Sequence, residues 1–207
     1  PNLVLGGVQK SGTTMLHHLL ASHPRIFFPR APQEIHFFDL DENYRKGLGW
    51  YSDLFREWRG ESVVGQTSPL YLYERNAAVR LHAARLDARF VFILRNPVDR
   101  AYSHYWHEVK YGWENLPFAE AIAREPERLE RGAAARRHYS YLDRGRYHAQ
   151  LEHFFRYFPV DRTLVVLHDD LQRNPDDLAR RCAGFLGLPT EGGSPLRERS
   201  VPQNAAK

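Results

Sequence analysis

Lys10-Ser11-Gly12-Thr13-Thr14 places an ammonium, a flexible glycine and several hydroxyls side by side, the composition of an anion cradle. An apolar run, Leu3-Val4-Leu5, leads into it through Gly6, Gly7 and Val8. Met15-Leu16-His17-His18-Leu19-Leu20 then continues with helical patterning. Strand, tight loop and helix start together aim backbone N–H groups at one point, so the loop is expected to hold a nucleotide phosphate. It is not a Walker A loop, in which the lysine follows the second glycine, because Lys10 precedes Gly12. Taken alone, the same residues also suit an ordinary Gly/Ser turn with a solvated lysine.

A second group of candidates is Leu94-Arg95-Asn96-Pro97-Val98-Asp99-Arg100-Ala101-Tyr102-Ser103-His104. Arg95 stands just past an apolar strand, with Ser103 about two helical turns on. A guanidinium and a hydroxyl so placed can fix a phosphate through fork-shaped donors. The alternative is an ion pair between Arg95 and Asp99. A third group is Gln33-Glu34-Ile35-His36-Phe37-Phe38-Asp39. Glu34 and His36 alternate, so in extended backbone they face one way, with the phenylalanines fixing the turn. A carboxylate in such a partly apolar setting can act as a general base, or can be one half of a loop salt bridge.

The elements that must carry these groups alternate. Strands are predicted at Leu3–Val8, Ile26–Phe28, Ser62–Thr67, Arg89–Leu94 and Thr163–Leu167. Helical patterning covers Thr13–Ser22, Asn43–Trp58 (weakened by Gly47 and Gly49), Glu74–Leu86, Val98–Tyr111, Pro117–Arg131, Tyr147–Tyr157 and Asn174–Gly187. Gly132–Tyr141 reads as basic and irregular, and the tail from Gly192 as extended or loop. Phe90-Val91-Phe92-Ile93-Leu94 and Leu164-Val165-Val166-Leu167 are continuous apolar runs, as in strands buried on both faces of a parallel sheet. The expected fold is α/β, with a central parallel sheet flanked by helices and the ligand at the carboxyl ends of the strands.

Composition narrows the function classes. Hydrophobic residues at 43% and charged residues at 26% describe a globular protein and exclude disorder. A net charge of +4 suits an anionic ligand, and the scattered arginines argue against nucleic acid. The lone cysteine, Cys182, excludes an internal disulfide and is read as a core residue. With no run long enough to span a membrane and no signal peptide, a cytoplasmic location is expected. The sequence opens directly on a core strand, so 1–207 is taken as a single domain with flanking sequence expected outside it. His104 and His107 have helical metal-ligand spacing without further partners, and no metal site is assigned. Tyr102, Tyr105, Trp106, Tyr111 and Trp113 are read as helix packing, or as a surface that stacks on an acceptor where exposed; Arg136-Arg137-His138 is read as a solvated loop in preference to a group that steers an anionic acceptor.

The ordered set of motifs resembles sulfotransferases that use 3′-phosphoadenosine 5′-phosphosulfate (PAPS), particularly the branch with heparan sulfate sulfotransferases and their bacterial relatives. Gly7-Val8-Gln9-Lys10-Ser11-Gly12-Thr13-Thr14, Glu34-Ile35-His36-Phe37-Phe38 and Leu94-Arg95-Asn96-Pro97 through Ser103 carry the likeness. A looser one runs through Phe154-Phe155, Asp169-Asp170-Leu171 and Cys182–Leu188. The resemblance implies a P-loop-like three-layer fold. It implies that Lys10, Ser11, Gly12, Thr13 and Thr14 bind the 5′-phosphosulfate, and that Arg95 and Ser103 hold the 3′-phosphate. Glu34 would be the general base, assisted by His36, and Lys10 would stabilise the leaving phosphate without a metal. The lysine–glycine–arginine loop of the heparan sulfate enzymes is missing, and Arg199 is assigned as a further phosphate contact in its place.

The expected acceptor is a hydroxyl or amine on a carbohydrate, lipid, metabolite or carrier-bound acyl chain. Two other classes remain open: a P-loop ATP-dependent kinase, and a non-catalytic nucleotide-binding module. The position of Lys10, and an arginine rather than an aspartate after Leu94, weigh against the kinase. The presence of both Lys10 and Glu34 favours activity over a binding module.

Overall fold

The computed structural model describes residues 1–189. Five strands form one all-parallel sheet in the order β2-β3-β1-β4-β5. They are β1 (Leu3–Gly7), β2 (Ile26–Phe27), β3 (Val63–Thr67), β4 (Arg89–Leu94) and β5 (Thr163–Leu167). Leu3 pairs with Gly65 on one side and with Arg89 on the other, so β1 lies at the centre. The chain leaves β1 toward both edges of the sheet, and crevices of open parallel sheets form where strand order reverses in this way.

Side-chain alternation divides the core between the two faces. Leu3, Leu5, Val91 and Ile93 pack with α1 (Thr13–Ala21) and α11 (Pro175–Phe185), whose Leu16, Leu20, Leu178 and Cys182 are buried against them. Val4, Phe90 and Phe92 pack on the other face with α4 (Arg75–Ala83) and α9 (Tyr147–Phe154), where Leu81 and Phe154 are buried. The continuous apolar run of β4 is thus explained by burial on both sides. β5 is different: Val166 is buried but Leu167 is 52% exposed, because β5 is an edge strand with a neighbour on one side.

Three regions depart from the sequence reading. Asn43–Trp58 holds two short helices, α2 (Asp41–Tyr44) and α3 (Gly47–Asp53), parted where Gly47 takes φ +80°. Pro117–Arg131 is likewise divided into α6 (Phe118–Ala123) and α7 (Glu125–Leu129), with Pro126 in the first turn of the second. The basic stretch expected to be irregular forms α8 (Ala133–Tyr139). Three consecutive alanines favour helix there, and the carbonyls of Arg136 and Arg137 are held by the Arg144 guanidinium at 3.1 and 3.0 Å. The remaining helices are α5 (Pro97–Lys110), whose Asn96 side chain accepts the Val98 N–H, and α10 (His168–Arg173). Among the described residues no helix is long and apolar enough to cross a membrane.

Candidate active site

The loop between β1 and α1 is set by its backbone. A Cβ on Gly7, at φ +137°, would stand 2.8 Å from the Pro69 carbonyl oxygen. Lys10 takes φ +67°, a left-handed conformation that costs a non-glycine residue on the order of 1 kcal/mol or more. Gly12 takes φ +100°, and a Cβ there would meet His168 Nδ1 at 2.9 Å. Neighbours hold the loop in this shape. Arg95 Nη1 donates to the Lys10 carbonyl at 3.3 Å, and His168 Nδ1 donates to the Ser11 carbonyl at 2.9 Å. The Tyr147 hydroxyl in turn donates to the Arg95 carbonyl at 2.9 Å.

With those carbonyls engaged, the N–H groups of the first turn of α1, Thr13 and Thr14 among them, lack intrahelical acceptors. No side chain caps that turn among the described residues, and the fully buried Ser11 Oγ has no hydrogen bond. Arg95 forms no ion pair with Asp99 and stands beside the loop, while Ser103 is half-buried on the second turn of α5. Lys10 is half-buried, and its Nζ donates to His107 Nδ1 at 3.4 Å. Burial holds the ammonium below the usual lysine range, with Glu108 and Glu34 opposing the shift and Lys110 and Arg95 adding to it.

The second cluster is Glu34, His36 and Asp39. Phe37 and Phe38 are fully buried and lock the segment to the core. Ile35 N–H donates to the Thr67 carbonyl at 2.7 Å. The Tyr71 hydroxyl donates to the Ile35 carbonyl at 2.9 Å and accepts the Phe38 N–H at 3.3 Å. Held on both flanks, His36 aims Nδ1 at Asp39 Oδ2 (2.6 Å) and Nε2 at Glu34 Oε2 (3.4 Å). The Asp39 carboxylate is buried, whereas Glu34 is 43% exposed and free to meet a ligand.

Burial alone would lower the His36 pKa. The hydrogen bonds that His36 donates to Asp39 and Glu34, together with the Asp39 charge, overcome it and raise the value to about 9. His36 is therefore an imidazolium at neutral pH, donating from both nitrogens. Because the folded-state pKa lies above the unfolded one, this stabilisation is complete below pH 6.5 and is lost as pH rises through about 9. Asp39→Asn is expected to flatten the stability–pH curve over that window, removing on the order of 3 kcal/mol at its acid end. Urea denaturation midpoints between pH 6 and pH 10 would check this.

The facing wall comes from α5, the turn after it and α8. One cleft of about 190 Å³ brings together Gln9, Glu34, His36, His107, Glu108, Tyr111, Trp113, Arg137 and His138. Glu108, 3% exposed, accepts from His138 Nδ1 at 2.7 Å, and His104 Nε2 lies 3.2 Å from its other oxygen. Trp113 stacks on the His138 ring at 4.2 Å with planes 20° apart. Two readings of the sequence are corrected here. His138 and Arg137 belong to the cleft wall rather than to a solvated loop, because α8 presents them there. Tyr102, Trp106, Tyr111 and Trp113 are 49–61% exposed rather than packed, and of that aromatic group Tyr105 alone is buried.

A model of the family described as "Sulfotransferase domain" matches residues 1–203. The chain belongs to the sulfotransferase family. Human heparan sulfate glucosamine 3-O-sulfotransferase 6 is 32% identical over 197 residues, covering 91% of this chain and 52% of the relative. Human bifunctional heparan sulfate N-deacetylase/N-sulfotransferase 2 is 31% identical over 204 residues, covering 91% of this chain and 22% of the relative. The chain spans about half the length, or less, of the curated relatives named here. The crystal structure of a sulfotransferase from Alicyclobacillus acidocaldarius has a TM-score of 0.83 and 32% identity, over 97% of this chain and 87% of that one. A mouse sulfotransferase, SULT7A1, complexed with PAP shares the fold at a TM-score of 0.61 and 13% identity, over 92% of this chain and 59% of that one.

Within this sulfotransferase domain the residues singled out from sequence fall into two connected groups. Lys10, Ser11, Gly12, Thr13, Thr14 and Arg95 form the loop site, with Ser103 on the adjoining helix. Glu34 and His36 share the cleft that His107 connects to Lys10. Arg199 lies outside the described residues, as does the tail from Gly192. Sequence reasoning missed the supports: Asp39 behind His36, His168 and Tyr147 behind the loop, and the Glu108–His138 pair. Asp39 was signalled by its place three residues after His36. The others are joined across 30 to 157 residues of chain, and no local pattern marks them.

Proposed function

We propose that this sulfotransferase domain moves a sulfuryl group from PAPS to a hydroxyl or amine acceptor. The observation that carries the reading is the meeting of the loop ammonium, Lys10, with the cleft of the Glu34 carboxylate, through the Lys10–His107 contact. The donor set fits an anion: unpaired N–H groups, a buried hydroxyl without a partner, an ammonium and a guanidinium converge, with no carboxylate in the loop. Ser11, Gly12, Thr13 and Thr14 would hold the 5′-phosphosulfate, and Arg95 with Ser103 the 3′-phosphate. When bound, PAPS supplies an activated sulfuryl group.

Glu34 takes the proton of the attacking oxygen or nitrogen, and the His36 imidazolium orients its carboxylate. Lys10 places positive charge where the leaving phosphate gains negative charge, with no metal in the scheme. The human relatives are named as heparan sulfate sulfotransferases, which supports a carbohydrate among the acceptors to be tried.

Thermal-shift measurements with PAP and with ATP–magnesium, followed by sulfate transfer from PAPS to an acceptor panel, test this reading. PAP is expected to raise the melting temperature and ATP–magnesium to leave it unchanged; the opposite pattern would indicate a kinase. PAP stabilisation without transfer or PAPS hydrolysis would indicate a binding module. Arg95→Ala is expected to weaken PAP binding by about ten- to a hundredfold by calorimetry, the loss of charged hydrogen bonds worth about 1.5–3 kcal/mol. Unchanged PAP affinity would refute the 3′-phosphate assignment.

A further inference from the structure

The cleft contains more proton-accepting capacity than one hydroxyl acceptor requires. Glu34 provides one base. Across from it, His138 donates from Nδ1 to the buried Glu108 carboxylate at 2.7 Å, which leaves Nε2 as the acceptor nitrogen of the neutral ring. Among the described residues Nε2 has no hydrogen-bond partner. Trp113, stacked at 4.2 Å, fixes the plane of the ring. A buried carboxylate orienting an imidazole whose far nitrogen is open is the arrangement of a general base. Other groups face the pair from several elements: His104 and His107 from α5, Lys10 from the donor loop, Arg137 from α8, and Arg144 behind Glu108.

An alcohol loses a single proton on sulfation. An alkylammonium loses two: one before its nitrogen has a lone pair, and one as the N–S bond forms. We propose that His138, held by Glu108 and Trp113, is a second proton acceptor of this cleft, and that the acceptor is an amine.

This rests on the sulfuryl-transfer reading above. In the step as proposed, His138 Nε2 takes a proton from R–NH3⁺. The freed nitrogen lone pair forms the N–S bond while the bond from sulfur to the bridging phosphate oxygen breaks, and that oxygen keeps the electron pair beside Lys10. Glu34 accepts the second nitrogen proton. The products are R–NH–SO3⁻ and PAP, with one proton on each base.

The test uses the whole chain, sulfur-labelled PAPS and acceptor pairs that differ at one carbon in carrying –NH3⁺ or –OH. Suitable pairs are methyl 2-amino-2-deoxyglucoside with methyl glucoside, and benzylamine with benzyl alcohol. Transfer is expected to at least one amine, faster than to its hydroxyl twin. His138→Gln is expected to lower amine transfer by about 10²-fold, and the amine-to-hydroxyl ratio by at least tenfold. Glu108→Gln keeps the ring but removes the carboxylate that orients it, so amine transfer should fall more than hydroxyl transfer.

Stabilisation by PAP is measured on each variant to show that the fold and donor site persist. Transfer confined to hydroxyl acceptors overturns the proposal. So does PAP stabilisation with transfer to no amine, or an equal loss for both twins in His138→Gln or in Glu108→Gln. Absence of PAP binding in the unaltered chain would instead defeat the sulfuryl-transfer reading itself.

Discussion

Glu34→Gln is expected to lower sulfuryl transfer by about 10²–10⁴-fold while leaving PAP affinity within about twofold, the contribution of a positioned general base. The substitution keeps the size of the side chain and its place opposite His36 Nε2, 3.4 Å away in the unaltered chain. What it removes is the capacity to accept a proton from the attacking atom. The donor loop is held by Arg95, His168 and Tyr147, none of which touches Glu34, so nucleotide binding should persist. Single-turnover transfer and calorimetric PAP titration separate the two quantities. Parallel losses in both would assign Glu34 to nucleotide binding instead.

Lys10→Met should lower transfer by about 10²–10³-fold, as removal of one donor aimed at developing charge does in other active sites. Methionine preserves the length of the side chain and its packing and deletes the charge. Because the charge is needed most as the phosphate departs, kcat should fall further than the affinity for PAPS. Burial already holds the ammonium below the ordinary lysine range, although the nearby carboxylates Glu108 and Glu34 keep it from falling further. Rapid-quench measurement of PAP formation at saturating PAPS would check the effect, and a loss confined to KM would contradict it.

Much of this architecture was legible in the residues. The apolar runs of β1 and β4 announced strands buried on both faces, and the punctuation after each announced a site at their carboxyl ends. Glu34 and His36 do meet, 3.4 Å apart, but across a bend rather than along an extended segment, and Phe37 and Phe38 are core residues that pin it. The helix that builds the facing wall of the cleft was not legible. Gly132 to Tyr141 carries charge without a clear apolar stripe, and its helix depends on the buried guanidinium of Arg144 meeting its last carbonyls. That contact is set by how distant elements pack, so the place of Arg137 and His138 in the cleft wall was only an alternative in the sequence. The exposed tryptophans were misread for a related reason: helical spacing identifies a face but not what covers it.

The buried residues Ala101, Tyr105, Ala121 and Tyr141 form a cluster of their own, separate from the two that sandwich the sheet. The Lys10 loop is built on the sheet, whereas α6 and α8 contribute Phe118, Ala121 and Tyr139 to this satellite. Substitutions there are therefore expected to disturb the sheet less than substitutions in the two larger clusters. Exchange of the segment from Trp113 to Tyr141 between relatives is expected to change the acceptor, and the His138 base with it, while leaving Lys10 and Glu34 in place.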